Sequence, residues 1–231
     1  MNLAFFGSGL LFLSCYHGEC GCTPTPPPPY SISGRLTNSQ GAPLTGVEVS
    51  AVSLIKPDAL RQPPVGVLSS HTKTLSDQDG RYTLHVSLGA IRVFSRPVVG
   101  SVVYSARVSP ELKFDDSRPL ISGLDFVFTS TPASAIGGTI SPIRNSNQDD
   151  DLSLSQIHTI DGIDYEYLLS NQKPSLSGST ERFLFPLQSG GSYYLFLSRS
   201  ETTGTHAQSG TARSLFTLPE GNTSDVTLAV K

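Results

Sequence analysis

The sequence has no tryptophan, one methionine and only three cysteines, Cys15, Cys20 and Cys22. The long body after Cys22 therefore holds no disulfide and no cysteine-based metal site. Charged residues make up 15%, against roughly 25% in ordinary soluble domains. A net charge of −3 offers no basic stripe for a phosphate backbone, so nucleic acid is not an expected partner. No window of useful length repeats apolar residues every 3.6 positions, which argues against amphipathic helices. Catalytic motifs are missing as well: there is no H-E-x-x-H, no G-x-S-x-G elbow and no phosphate-binding glycine loop. The five histidines (His17, His71, His85, His158 and His206) include no i, i+4 pair, and most are expected at the surface. The expectation is a non-enzyme with no catalytic residue and no cofactor.

What is present is turn chemistry. The chain carries 21 glycines and 17 prolines and is rich in serine and threonine. Such a composition suits many short strands joined by turns and a neutral, hydroxyl-rich surface. It also suits an extracytoplasmic protein.

The first thirty residues read as an address and a tether. "LAFFGSGLLFLSC" is an apolar run ending in a small residue and a cysteine. It is shorter than the roughly 20 apolar residues that span a bilayer and has the length of a signal-peptide core. Phe12-Leu13-Ser14-Cys15 resembles a bacterial lipobox, which implies removal of residues 1–14 and lipidation of Cys15. A conventional cleaved signal and a buried apolar segment remain open. "TPTPPPPYS" follows; in extended polyproline form it would hold a domain about 25–30 Å from its anchor, or it is an ordinary leader. Tyr16 stands where aspartate would retain an enterobacterial lipoprotein at the inner membrane, so the outer membrane is preferred. His17, Cys20 and Cys22 give H-x-x-C-x-C, one ligand short of a structural zinc site.

The body alternates between strands and turns. Ile32 and Leu36 share one face of a first strand, "NSQGAPLTG" is turn chemistry, and Val47, Val49 and Ala51 alternate along a second. "SDQDGRYTLHV" poses a choice. Asp77 and Asp79 before Gly80 resemble a calcium loop, but no carboxylate follows where an EF-hand needs one. The preferred reading is a turn in which both acids accept backbone N–H bonds and feed the strand Tyr82-Leu84-Val86. Calcium at Asp77 and Asp79 is the weaker alternative, and no other metal ligand is expected.

Gly34, Gly41, Pro43, Leu44, Gly46, Val47, Val49, Asp79, Gly80, Tyr82, Gly89 and Val93 together match a recognisable pattern. "SGRLTNSQGAPLTGVEVSA" followed by "TLSDQDGRYTLHVSLGAIRV" resembles the carboxypeptidase regulatory-like domain, departing at Leu88 and Ile91. That resemblance implies a transthyretin-like, prealbumin-type β-sandwich. It implies no activity, since a fold does not fix a function.

The second half can be laid on the first. "GAIRV" matches "GSYYL" at an offset of 102, "LDFVFT" matches "SDVTLAV" at 100, and "SGRLT" matches "GGTIS" at 104. The expected fold is all-β: two tandem transthyretin-like or Ig-like β-sandwiches, at 30–131 and 132–231, after a signal (1–14) and a lipidated, proline-rich tether (15–29). The second copy lacks the P-L-x-G-V and D-x-D-G turns. "SNQDDDLSLS", "ETTGTHAQSG" and the span 55–71 read as loops, and "STPAS" as the linker. Asp149, Asp150 and Asp151 read as solvated loop charge rather than a cation cluster.

The expected first core is Ile32, Leu36, Val49, Tyr82, Leu84, Val86, Phe126 and Phe128. The second is Phe183, Phe185, Leu187, Tyr193, Leu195, Val226 and Leu228. Adjacent Tyr193 and Tyr194 should face opposite ways, leaving one ring to stack on a sugar. Asn222-Thr223-Ser224 matches a glycosylation acceptor, a chance match if the chain is bacterial. The expected role is structural or protein-binding, on a lipid-anchored envelope protein with the membrane and an unknown protein or glycan as partners. The alternatives are a carbohydrate-binding surface module and an accessory subunit of a secreted hydrolase or uptake complex.

Overall fold

The structure, a computed structural model, describes residues 30–57, 64–87, 89–114, 119–144, 148–201 and 210–230. The signal, Cys15, the tether, Leu88 and most of "ETTGTHAQSG" lie outside them. The described residues form strands and turns, with no helix among them.

The first unit begins with β1 (Tyr30–Asn38), β2 (Glu48–Ile55), β3 (Gly66–Leu75), β4 (Arg81–Val86) and β5 (Ala90–Ser95). Short strands follow: β6 (Val98–Val99), β7 (Val102–Tyr104), β8 (Arg107–Val108), β9 (Leu112–Lys113), β10 (Leu120–Ile121), β11 (Phe126–Phe128) and β12 (Ser130–Thr131). The second unit holds β13 (Ser134–Ser141), β14 (Gln148–Ile160), β15 (Ile163–Gln172), β16 (Ser175–Ser177), β17 (Thr180–Gln188), β18 (Gly191–Glu201), β19 (Gly210–Leu218) and β20 (Thr223–Ala229).

One strand order serves both units. In the first, β4 pairs antiparallel with β1, which pairs parallel with β10 and β11. In the second, β17 pairs antiparallel with β13, which pairs parallel with β20. The facing sheets run β3-β2-β5-β8 and β15-β14-β18-β19. Register fixes the equivalences residue by residue. Gly34 faces Tyr82, and Gly138 faces Phe183. At both glycines a Cβ would collide with a carbonyl of the parallel strand, 1.9 Å from Leu124 O and 1.8 Å from Val226 O. No side chain fits at either place, so glycine recurs. Ala51 faces Val93 and Leu154 faces Leu195, and a β-bulge follows each of Ala51 and Leu154. Phe126 therefore corresponds to Leu228, two positions further on than the segment alignment gives.

Each sandwich closes on its own apolar core. The first contains all eight expected residues, joined by Leu44, Val47, Ala51, Ile91 and Val93. The second contains Phe183, Phe185, Tyr193, Leu195 and Leu228, with Val226 at its margin. Leu187 is a correction: its φ of 56° turns the chain there, and the residue is only half buried. The core instead takes Leu152 and Leu154 of β14, a segment read as loop. Leucine and serine alternate there with the period of a half-buried strand. Two further spans read as loop or linker are strands. Gly66–Leu75 pairs with β2, and Ser130–Thr131 pairs with β7.

The two sandwiches share one sheet. Tyr165 and Glu166 of β15 pair parallel with Gly66 and Val67 of β3, making nine strands continuous. A third apolar cluster seals this junction: Val52, Leu68 and Phe94 from the first unit meet Ile160, Tyr165 and Tyr167 from the second. The Phe94 and Tyr167 rings are 4.0 Å apart between centroids.

Candidate functional site

The junction draws polar side chains from both units. Arg92 Nη2 lies 2.8 Å from Asp161 Oδ2. Ser50 Oγ lies 3.1 Å from the Tyr167 hydroxyl. Arg96, just past β5, reaches into the end of the second sandwich, where Nη2 donates to Leu187 O at 3.3 Å and Gln188 Oε1 at 2.9 Å. Nearby, Tyr193 OH donates to Ser189 O at 2.7 Å, and Gln156 Nε2 donates to Ser189 Oγ at 3.2 Å. Burial pushes the Arg96 guanidinium below its ordinary value. His158 packs edge-on against Phe94 at 5.2 Å. Burial, then the Arg96 charge, pushes its imidazole down to about 4, so it is neutral at pH 7.

Three cavities line up along this seam. One, of about 560 Å³, opens at the end of the first sandwich between Ser53, His71, His85 and Ile91. A second, of about 350 Å³, shares Ser53 and Ala90 with it and continues past Lys56 to Tyr165. The third, of about 710 Å³, shares Arg92, Glu111 and Asp161 with the second and ends at His158. Together they form one groove with walls from both units.

The groove contains the parts of hydrolytic constellations in separate places. Ser53 Oγ and His71 Nε2 are 2.7 Å apart, but none of the described residues lining their cavity is an acid. Ser109, His158 and Asp161 line the far cavity. There Ser109 Oγ donates to Pro110 O and accepts from Val93 N–H, while Asp161 holds Arg92. Nε2 of His158 has no hydrogen-bond partner among the described residues.

The residues singled out in the sequence fall as follows. Asp77 Oδ1 accepts N–H bonds from Asp79 at 2.9 Å and Arg81 at 2.8 Å. Gly80 has a φ of 74°, so the stretch is a capped turn. Asp79 accepts through its backbone instead, where Arg35 Nε donates to its carbonyl. Among the described residues no group of three histidine, cysteine or acidic side chains is placed to hold a metal. Cys15, His17 and His206 lie outside the described residues. His71 and His85 are exposed and His158 is half-buried.

Tyr193 and Tyr194 correct the expectation of a sugar platform: their exposures are 0% and 4%. β18 is a central strand, and Ser155 and Leu215 flank Tyr194 on the strands to either side. Asn222 is exposed beside β20 and donates to Glu220 O.

The aspartate triplet is the largest correction. It lies in β14, and Asp150 is fully buried in a two-pronged pair with Arg199, at 2.7 Å on each side. Glu181, also buried, accepts from Arg199 at 3.1 Å and lies 3.1 Å from Arg144 Nε. Burial raises the Glu181 carboxyl above its ordinary value. Asp149 and Lys173 pair at the edge of this network. Strand parity held the missed signal, because Asp150 shares its face with Leu152 and Leu154. Nothing in the local sequence marks Arg96 as the residue that crosses the junction.

No family model and no curated protein matches the chain. Solved structures with a similar fold include the Bacillus anthracis TIE protein, 10% identical over 87% of this chain and 34% of that one, TM-score 0.33. A streptococcal ancillary pilin is 14% identical over 87% of this chain and 62% of that one, TM-score 0.33. The shaft pilin SpaA of Lactobacillus rhamnosus GG is 7% identical over 87% and 98%, TM-score 0.30. The chain thus spans about a third of the first of these structures and 62% of the second.

Proposed function

We propose that this chain is a non-catalytic envelope protein that displays two fused sandwiches and binds a protein partner along their junction. The groove supports this most directly. Residues of both units line it, and it runs beside a sealed apolar junction, which holds its two sides in fixed relation. A pre-formed groove lowers the entropic cost of binding. In this reading the first sandwich is a carboxypeptidase regulatory-like unit used as a scaffold, and the division between units falls near residue 132. Cys15 carries the lipid anchor and the proline run is the tether.

Two measurements test the reading. The intact mass of protein from a bacterial membrane fraction should show loss of residues 1–14 and a diacylglycerol-plus-acyl increment that Cys15→Ala abolishes. An unmodified full-length chain in the soluble fraction would overturn the anchor. A photo-crosslinking residue at Thr159 in the groove should trap a protein that the same residue at Val127 does not. Equal trapping at both positions would overturn the groove as the binding surface.

A further inference from the structure

The end of the second sandwich is filled by an arginine, and the equivalent end of the first is a cavity. Register equates Ser53 with Gln156 and Ile91 with Tyr193. The bulged residues His71 and Leu169 correspond, and Val86 corresponds to Gln188, next to the chain turn at Leu187. In the second unit Arg96 enters this frame. It donates to Leu187 O and Gln188 Oε1, lies beside the Tyr193 hydroxyl and shares a small cavity with Leu169. Its hydrogen-bond acceptors there are a carbonyl and an amide oxygen, and Glu48 lines the same cavity. In the first unit the same frame surrounds about 560 Å³. Its walls offer hydroxyls from Ser53, Thr72 and Ser87 and the imidazoles of His71 and His85, with Ser53 and His71 bonded to each other, and no lysine or arginine lines it among the described residues.

We propose that the open end of the first sandwich binds an arginine side chain carried on an extended segment of a separate protein, as the second sandwich binds Arg96. Arg96 of a second copy is not the donor, because it is already engaged within its own junction. The groove continues from this mouth past Lys56, Arg92, Glu111 and Asp161, where Arg92 pairs with Asp161 and Lys113 with Glu111, so recognition falls to the arginine itself rather than to flanking charge. Arginine suits such a frame because its planar fork reaches several acceptors at once while its stem packs on apolar walls. The inference rests on the protein-binding reading and names the chemistry of the partner.

The test uses the full chain and a labelled peptide, Phe-Ser-Arg-Pro-Val, which copies the order of residues 94–98. Anisotropy titration should show binding, weakened at least tenfold (about 1.4 kcal/mol) when the peptide arginine is alanine. Ala90→Trp in the protein, an exposed site at the rim, should weaken binding at least tenfold with an unchanged melting temperature. Equal affinity for the arginine and alanine peptides, no binding of either, or indifference to Ala90→Trp would overturn the inference. Sedimentation showing self-association that Ala90→Trp abolishes would overturn it in favour of a second copy. A partner still trapped at Thr159 while the peptides fail would leave the protein-binding reading standing and this inference refuted.

Discussion

The two sandwiches close the same corner with different chemistry. In the first, the corner is built from turns. Val47 N–H donates to Ser76 Oγ, which donates to Leu44 O, and Leu36 N–H donates to Gly80 O. In the second, register puts Asp150 where Val47 stands and Glu181 where Gly80 stands. The turns are gone, and a buried network of Asp150, Glu181, Arg199 and Arg144 takes their place. Neutral hydrogen bonds carry little desolvation cost, whereas buried charges must be fully paired or they destabilise. The comparison teaches that one fold closes the same corner by either solution.

The sharpest break targets that network. Asp150→Ala leaves Arg199 buried opposite only Glu181, and should cost about 3–5 kcal/mol. Val47→Ala at the equivalent place should cost about 1–2 kcal/mol as a simple truncation of apolar surface. Urea unfolding followed by far-UV circular dichroism reads both. Equal losses would mean that the network is no more demanding than an apolar contact. Replacing Asp150, Glu181 and Arg199 together by apolar residues of similar volume should recover most of the loss.

A second comparison should come out even. Gly34→Ala and Gly138→Ala each press a methyl group into a carbonyl of the parallel strand. Each should lose about 2–3 kcal/mol through forced backbone shifts. A loss at one site only, in the same unfolding assay, would show that the equivalence drawn from register fails at that point.

What the sequence made legible follows the same line. The corner of the first unit was readable because turns are local: Asp77, Asp79 and Gly80 are near neighbours, and the hydrogen bonds of Asp77 follow from that spacing. The inward residues of β1, β2 and β4 were readable from alternation. The corner of the second unit was opaque because Asp150, Glu181 and Arg199 are far apart along the chain, and acids outside a motif read as surface. The groove was opaque for a related reason. Its walls depend on where β15 meets β3, a pairing of only two residues on each strand, and no short pattern specifies it.

The junction itself responds to acid. The His158 imidazole is pushed down to about 4 in the fold, against roughly 6.5 in an unfolded chain. As pH falls through 6.5 the unfolded chain takes up a proton that the fold refuses, so stability is lost between about pH 6.5 and 4 and levels off below. The single-site effect is on the order of 2–3 kcal/mol. His158→Gln should remove that component of the pH dependence, which urea midpoints at pH 7 and pH 4.5 would show as a flatter profile. An unchanged profile would mean that the imidazole is solvated and the junction looser than its contacts suggest.

The smallest effect concerns the turn at Asp77. Asp77→Ala removes the acceptor for two backbone N–H groups, but this turn is exposed, so water replaces part of what is lost. The cost should be about 1 kcal/mol, well below that of Asp150→Ala at the matching corner. The calcium alternative makes a different forecast: a bound ion would raise the melting temperature in millimolar calcium, and both Asp77→Ala and Asp79→Ala would abolish that rise. With the turn as built, calcium and chelator should leave the melting curve unmoved, and Asp79→Ala should cost less than Asp77→Ala, because Arg35 bonds the Asp79 backbone rather than its side chain. Equal costs with a calcium-dependent shift would turn this corner into an ion site, and the two sandwiches would then both close on charge.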